Sequence, residues 1–283
     1  DMGRPDRLLN LFIYGRLQSP IIWDVIIIPT YIVISILLLY FPLLPDFALL
    51  KTYFKDKNPN LSKWYGRLSL NWTGSAAQKL IQARSIHILA IFVIPAGFIL
   101  QTIDAWLFST LFRVGWDSTN MGAYFISGAS VAGVGALVTV VYVIRKVYKL
   151  EEYITDFHFD KLGKFLVLTC IIYLYFNINE YLIPEFTSKK EEITHLNHLF
   201  SGQYAPLFWF VLIGGLVIPI LVLLFDKGRK PLPMFIMGLL VVLGSWWKRF
   251  LIVTPTLLNP FLPIQGVPES WRHYYPSTHE WLI

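Results

Sequence analysis

Pro20-Ile21-Ile22-Trp23-Asp24-Val25-Ile26-Ile27-Ile28-Pro29-Thr30-Tyr31-Ile32-Val33-Ile34-Ser35-Ile36-Leu37-Leu38-Leu39-Tyr40-Phe41-Pro42-Leu43-Leu44 carries a single charged side chain, Asp24. A helix needs about 20 apolar residues to cross roughly 30 Å of hydrocarbon, and this stretch is long enough. No alternation with period two runs through it, so it reads as a membrane-spanning helix and not as a barrel strand. Working outward, five more stretches satisfy the same test: Ser85 to Phe112, Asn120 to Tyr142, Leu162 to Ile183, Tyr204 to Phe225 and Pro231 to Thr254. The expected fold is all-α, a polytopic transmembrane helix bundle with six spans in a single transmembrane domain covering 1–283. Pro29, Pro95 and Pro219 lie inside spans, where neighbouring helices tolerate the kinks they cause.

Composition agrees. Of the 283 residues 55% are apolar and 15% charged, and the mean hydropathy is +0.54. Soluble chains carry about 25% charged residues, so much of this surface must face lipid. Cys170 is the only cysteine, which excludes an intrachain disulfide and any four-cysteine iron–sulfur or zinc site on this chain alone. The formal charge of +6 does not require nucleic acid as a partner, because polytopic proteins concentrate Lys and Arg in cytoplasmic loops.

The loops show that asymmetry. The links after the first, third and fifth spans hold 14 Lys and Arg, among them Lys51, Lys63, Arg67, Arg145, Lys146, Arg229 and Lys230; the opposite set holds 7. Odd-numbered spans are therefore expected to run from outside to inside a bacterial or archaeal cytoplasmic membrane. The chain starts at Asp1 without an initiator Met, and 278–283 reads as the entry to a further helix. The expectation is a fragment of a subunit of eight to ten helices.

Polar groups inside spans are expensive and are functional candidates by default. In the orientation just given, Asp24, Gln101, Asp104, Tyr124, Asn177, Glu180, Lys248 and Arg249 all fall in the outer half of the spans. Asp104 and Glu180 are short carboxylates that cannot reach far toward water. One reading of Glu180 is a salt bridge to Arg249; the other is a polar pocket in an apolar wall. Lys248 can equally well extend its long stem to the interface. A pocket of carboxylates with an arginine suits a quinone, whose ring needs an apolar slot and whose two oxygens need hydrogen-bonding partners. Quinol oxidation releases two protons with two electrons, so the site also needs bases. Asp104 and Glu180 are the candidate catalytic groups, and Asp24, Gln101, Tyr124 and Arg249 the candidate quinone-binding groups. His87, near the inner end of the second span, reads either as a buried structural histidine or, with Glu151 and His158, as a step in an inner proton path. No other histidine lies within a span, so no bis-histidine haem site is expected. His195 and His198, three residues apart in the fourth link, lack a third ligand, and no metal site is assigned. Small residues from Ser127 to Ala136 read as a close helix-packing face.

At this point the motifs themselves are recognisable. Asp1-Met2-Gly3-Arg4-Pro5-Asp6-Arg7, Ser19-Pro20-Ile21-Ile22-Trp23-Asp24, Gly115-Trp116-Asp117-Ser118-Thr119, Leu150-Glu151-Glu152-Tyr153, Asn179-Glu180-Tyr181 and Arg249-Phe250-Leu251 resemble the NrfD family, the membrane subunits of polysulfide-reductase type. The tail Phe261-Leu262-Pro263 with Tyr275-Pro276-Ser277-Thr278 looks most like the large membrane subunits of alternative complex III. The resemblance implies a subunit of about ten helices that binds quinol or quinone, menaquinone or ubiquinone, near the periplasmic face and holds no metal or haem itself. It also implies a docked ferredoxin-like iron–sulfur subunit, onward cytochrome c or molybdopterin partners, and a paralogous membrane subunit. One departure bears on chemistry: in the alternative complex III subunits a histidine stands at Gln101 and an aspartate at Leu107. Either Asp104 takes over as proton acceptor, or the chain is a redox-inactive scaffold or a proton-conducting paralogue. A secondary transporter fits less well, since no paired helix interruptions stand out.

Overall fold

Apolar runs this long leave the backbone only one way to satisfy its N–H and C=O groups away from water, which is to bond internally as helix. The computed structural model describes residues 9–111, 113–116 and 120–258, and every regular element among them is helical. The opening motif before Leu9, Asp117 to Thr119 and the tail from 259 onward lie outside the described residues. Six helices are long and apolar enough to cross a membrane: α2 (Pro20–Tyr53), α4 (Ala76–Ser109), α5 (Met121–Val147), α6 (Asp156–Thr187), a broken fifth span and α10 (Pro231–Leu258). A short α1 (Asn10–Ile13) precedes them. The amphipathic α3 (Pro59–Leu68) and α7 (Lys190–Phe200) sit in links.

Most helices outrun the stretches expected from hydropathy. α2 continues past Leu44 to Tyr53, and α4 begins at Ala76 instead of Ser85. An apolar window measures hydrocarbon thickness, whereas helix length follows from backbone bonding. The 34 residues of α2 would span about 51 Å at 1.5 Å per residue, so its ends project beyond the apolar layer.

The fifth span is not a continuous α-helix. It runs as α8 (Ala205–Trp209), a π-helical stretch (Phe210–Val217) and α9 (Ile218–Leu223). Pro219 has no N–H to give the carbonyl one turn before it, and Gly214 and Gly215 weaken the α ladder just upstream. The wider π turn places Gly215 against Gly244 of α10: a Cβ added to Gly215 would lie 2.8 Å from the Gly244 Cα.

The chain forms two compact units, Asp1–Asp104 and Ala105–Ile283. In the first, α3 packs back on the end of α2, and Gln82 Nε2 of α4 donates to the Phe41 carbonyl at 2.6 Å. In the second, α5 packs against α10 and α6 around a core that includes Val138, Phe159, Leu166, Cys170, Met234 and Val241, all fully buried. The small residues of α5 have separate uses. Gly135 lies against Val241 and the Gly238 carbonyl of α10, Gly128 against the Tyr173 ring, while Gly122 and Gly133 face open space. At the basic end of this unit Arg229 closes the fold: its Nε donates to Asp160 at 2.7 Å, Nη1 donates to the Leu223 and Leu224 carbonyls, and Nη2 pairs with Asp226.

Candidate functional site

The buried face of α10 repeats at helical spacing through Met234, Met237, Val241, Gly244, Lys248, Leu251 and Pro255. Lys248 therefore points inward, and its neighbour Arg249, about 100° round the helix, points out. Lys248 is 3% exposed. Its ammonium lies 3.6 Å from Glu180 Oε2, donates to the Tyr181 hydroxyl, and sits over the rings of Tyr181 (4.7 Å) and Tyr124 (5.5 Å). Glu180 Oε2 is buried and accepts no hydrogen bond among the described residues. Of the two readings of Glu180, the salt bridge and the polar pocket, the salt bridge runs to Lys248 and not to Arg249. Arg249 is exposed and stacks 4.6 Å over the Phe125 ring, and Lys248 does not reach the interface.

These groups line a cavity of about 220 Å³ at the end of the second unit opposite Arg229. Its floor is Glu180, Tyr181 and Lys248, and its far wall is Gly115, Ile252 and Thr256. Gly115 has φ +84°, a conformation side chains resist, and a Cβ there would meet His195 Nε2 at 3.3 Å. Trp116 fixes this loop by donating to the Ile252 carbonyl at 2.8 Å while its ring meets Phe108 edge-on. The roof is α7, whose buried face carries His195, Leu196 and Leu199. Burial, with His198 and Lys248 nearby, pushes the His195 imidazole down to about 4, so it is neutral at physiological pH. At the rim Glu192 pairs with Lys189 at 3.1 Å and accepts from Thr187 Oγ1 at 2.6 Å.

Beneath the floor Tyr173 OH donates to Tyr124 OH at 3.3 Å, with the two rings stacked, and Asn177 Nδ2 donates to the Tyr173 carbonyl at 2.8 Å. A second void of about 20 Å³ lies between Asn177, Ser245, Lys248 and the π-helical stretch, enough for about one water-sized probe. π-helical turns concentrate at functional sites.

Of the residues expected from the sequence, Glu180 lines the cavity and Tyr124 lies directly under the Lys248 ammonium. Asp24, Gln101 and Asp104 belong to the first unit, half-buried on α2 and α4, and Asp24 Oδ1 is buried without a hydrogen-bond partner among the described residues. His87 is exposed on α4 instead of buried. Glu151 pairs with Lys146 at 3.5 Å, and its own backbone N–H, ahead of Lys146, holds its carboxyl below the ordinary range. His158 Nδ1 accepts the Thr155 N–H at 3.2 Å and completes the cap of α6. It lies about 33 Å along that helix from Glu180 at 1.5 Å per residue, at the opposite end of α6 from the cavity. The sequence reading missed Tyr181 and His195 as wall groups. The 3.6-residue period of α10 was the signal that could have singled out Lys248.

Six apolar helices, with a polar cavity at one end of the second unit, define a multi-pass membrane protein with a buried polar site. The chain belongs to the NrfD polysulphide reductase family, whose profile matches residues 1–260. It is 28% identical to the C component of the selenate reductase of Mesobacillus selenatarsenatis, over 99% of this chain and 67% of that one. It is 24% identical to a protein of Halobacterium salinarum named as the membrane C component of a dimethyl sulfoxide reductase, over 89% of this chain and 55% of that one. The chain thus spans about two thirds of the first relative and about half of the second. Neither relative bears the name of alternative complex III, the subtype to which the tail motif pointed.

Proposed function

We propose that this chain is the quinol-oxidising membrane subunit of a respiratory reductase complex and that the cavity floored by Glu180, Tyr181 and Lys248 takes the quinol ring. The observation that carries this is the buried Glu180 carboxylate, facing the cavity with an oxygen that accepts no hydrogen bond among the described residues. A space of about 220 Å³ equals several water volumes at about 30 Å³ each, which is ring-sized. Ile183, Leu196, Leu199 and Leu251 supply apolar walls, and Glu180, Lys248 and His195 offer partners for the two ring oxygens.

Oxidation of a quinol yields quinone, two electrons and two protons. Glu180 accepts a proton from the hydroxyl facing it, while the Lys248 ammonium stabilises the oxygen as it loses its hydrogen. Neutral His195 can accept the second hydroxyl's hydrogen bond, and the second proton goes to Glu192 at the rim. The chain's own groups therefore manage protons; the electrons pass to a docked iron–sulfur partner and on to the reductase's catalytic subunit. The names of the relatives, components of selenate and dimethyl sulfoxide reductases, support that direction. Asp24, Gln101 and Asp104 enter separately, as further polar groups of the first unit.

In the assembled complex Glu180→Gln is expected to lower quinol-dependent turnover by about 10²–10⁴-fold, the usual contribution of a general base, while an artificial dye reducing the iron–sulfur partner directly keeps its rate. Asp104→Asn in the same assay tests whether the first unit's carboxylate takes part in turnover. Full quinol activity in Glu180→Gln would remove this cavity from the mechanism. Gln101, an amide where the alternative complex III subunits carry a histidine, favours the competing scaffold reading, and that reading predicts no change in either variant.

A further inference from the structure

The connection from α2 to α4, in the first unit, is built rather than slack. Asn58 caps α3 by accepting the N–H groups of Asn60 (3.2 Å) and Leu61 (3.3 Å). Ser62 Oγ donates to the Lys51 carbonyl at 2.9 Å, and Tyr40 OH of α2 donates to the Leu68 carbonyl at 2.6 Å. The Tyr65 ring stacks on Phe54 and Phe47. α3 thus turns one face, Ser62, Tyr65, Gly66 and Ser69, to the end of α2. It leaves two others uncovered: a basic face with Lys63 and Arg67, and an apolar face with Leu61, Trp64 and Leu68.

The basic face closes an open pocket of about 470 Å³ lined by Lys51, Lys63, Gly66, Arg67, Leu70 and Asn71. Three cations share this lining with no carboxylate, and among the described residues none of the three makes an ion pair. Like charges gathered round one pocket repel unless an anion joins them. At its edge the backbone takes left-handed turns at Leu70 (φ 45°) and Asn71 (φ 55°), conformations that persist only where the surroundings impose them. Gly66 lets the Lys51 stem lie across the helix, with its Cε 3.5 Å from where a Cβ would stand.

We propose that this pocket is a headgroup site for an anionic phospholipid of the leaflet on the basic side. Lys51, Lys63 and Arg67 hold the phosphate, and the acyl chains lie beside Leu61, Trp64 and Leu68. A free phosphate would satisfy the cations but leave Trp64, 61% exposed, and its apolar neighbours in water. A helix with a basic face beside an apolar one lies in the membrane interface, where basic pockets bind anionic headgroups. The site is independent of any quinone chemistry.

The test is native mass spectrometry of the detergent-solubilised full-length protein with equimolar phosphatidylglycerol and phosphatidylcholine. Phosphatidylglycerol adducts are expected to dominate in the wild type. Each cation near an anionic headgroup contributes about fivefold, so Lys63→Gln with Arg67→Gln should cut phosphatidylglycerol binding roughly 25-fold, whereas Lys55→Gln, outside the pocket, should leave it unchanged. Helical circular dichroism checks that the double variant is folded, and the wild-type lipid preference stands as a readout if it is not. Equal adducts of the two lipids in the wild type would overturn the proposal, as would an unaltered preference in the folded double variant. Displacement of bound phosphatidylglycerol by equimolar inorganic phosphate would assign the pocket to a free anion and sink the lipid assignment.

Discussion

Lys248 and Glu180 show how a single charge can be right in kind and wrong in partner when read from sequence. Both stood out as ionisable groups in apolar spans; the sequence offered Arg249 as one partner for Glu180, and helix geometry pairs it with Lys248. Removing one member of a buried pair strands the other, at a cost of about 3–5 kcal/mol. Lys248→Met should therefore lower thermal stability in detergent sharply, and adding Glu180→Gln should recover part of the loss; additive losses in that double-mutant cycle would show that the 3.6 Å pair contributes nothing. His195 offers a pH signature at the same scale. Burial depresses its imidazole to about 4 in the fold, against about 6.5 unfolded. Its contribution is fully present above pH 6.5 and is lost as pH falls toward 4, because the unfolded chain takes up a proton that the native site refuses. The loss approaches about 3 kcal/mol at 1.36 kcal/mol per pKa unit. Melting temperature followed from about pH 7 to 4.5 should fall less steeply in His195→Gln than in the wild type; parallel curves would contradict the burial argument.

Among elements, all six spans were legible because a run of about 20 apolar residues has one stable form in lipid. Their ends were not, since polar helix formers such as Ala76 to Arg84 continue a helix without adding hydropathy. The π-helical stretch was invisible for a related reason: in a run apolar on every side, no hydrophobic period separates a π turn from an α turn. α7 was hidden in its link because its 11 residues fall short of the roughly 20 apolar residues that mark a span. The glycines separate two kinds of helix contact. Gly244→Val would push a Cβ to within 2.7 Å of the Gly215 Cα, with backbone on both sides and nowhere to move, so a loss of about 1–3 kcal/mol is expected for overpacking. Gly133→Ala meets nothing within 4 Å and should be neutral or gain up to about 1 kcal/mol from helix propensity. Thermal unfolding of the two variants side by side checks the contrast. Gly115→Ala belongs with the first kind, since φ +84° costs a side chain about 1–3 kcal/mol at the cavity wall.

For the second unit as a whole, the distribution of charge predicts a direction. Arg145, Lys146, Lys149, Arg229 and Lys230 gather at the end opposite the cavity, and Lys- and Arg-rich ends face the cytoplasm. Between the two ends lie Val138, Leu166, Met234 and Val241, fully buried and without a hydrogen-bonding N or O in their side chains. Among the described residues these side chains form an apolar layer between the cavity and the basic end of this unit. If the cavity faces outward, protons from a quinol oxidised there would leave past the Glu192 rim to the outside. Topology is the point at which this can fail. Cys170 is fully buried, so single cysteines placed at the exposed positions Lys190 and Lys227 can be labelled against a silent background. A membrane-impermeant maleimide should reach Lys190→Cys in right-side-out vesicles and Lys227→Cys only in inverted ones. With that orientation established, quinol oxidation by the complex in sealed right-side-out vesicles should acidify the medium, and blocking the rim with Glu192→Leu should slow proton release while leaving the outward direction intact. Reversed labelling would instead place the cavity, and with it the released protons, on the cytoplasmic side.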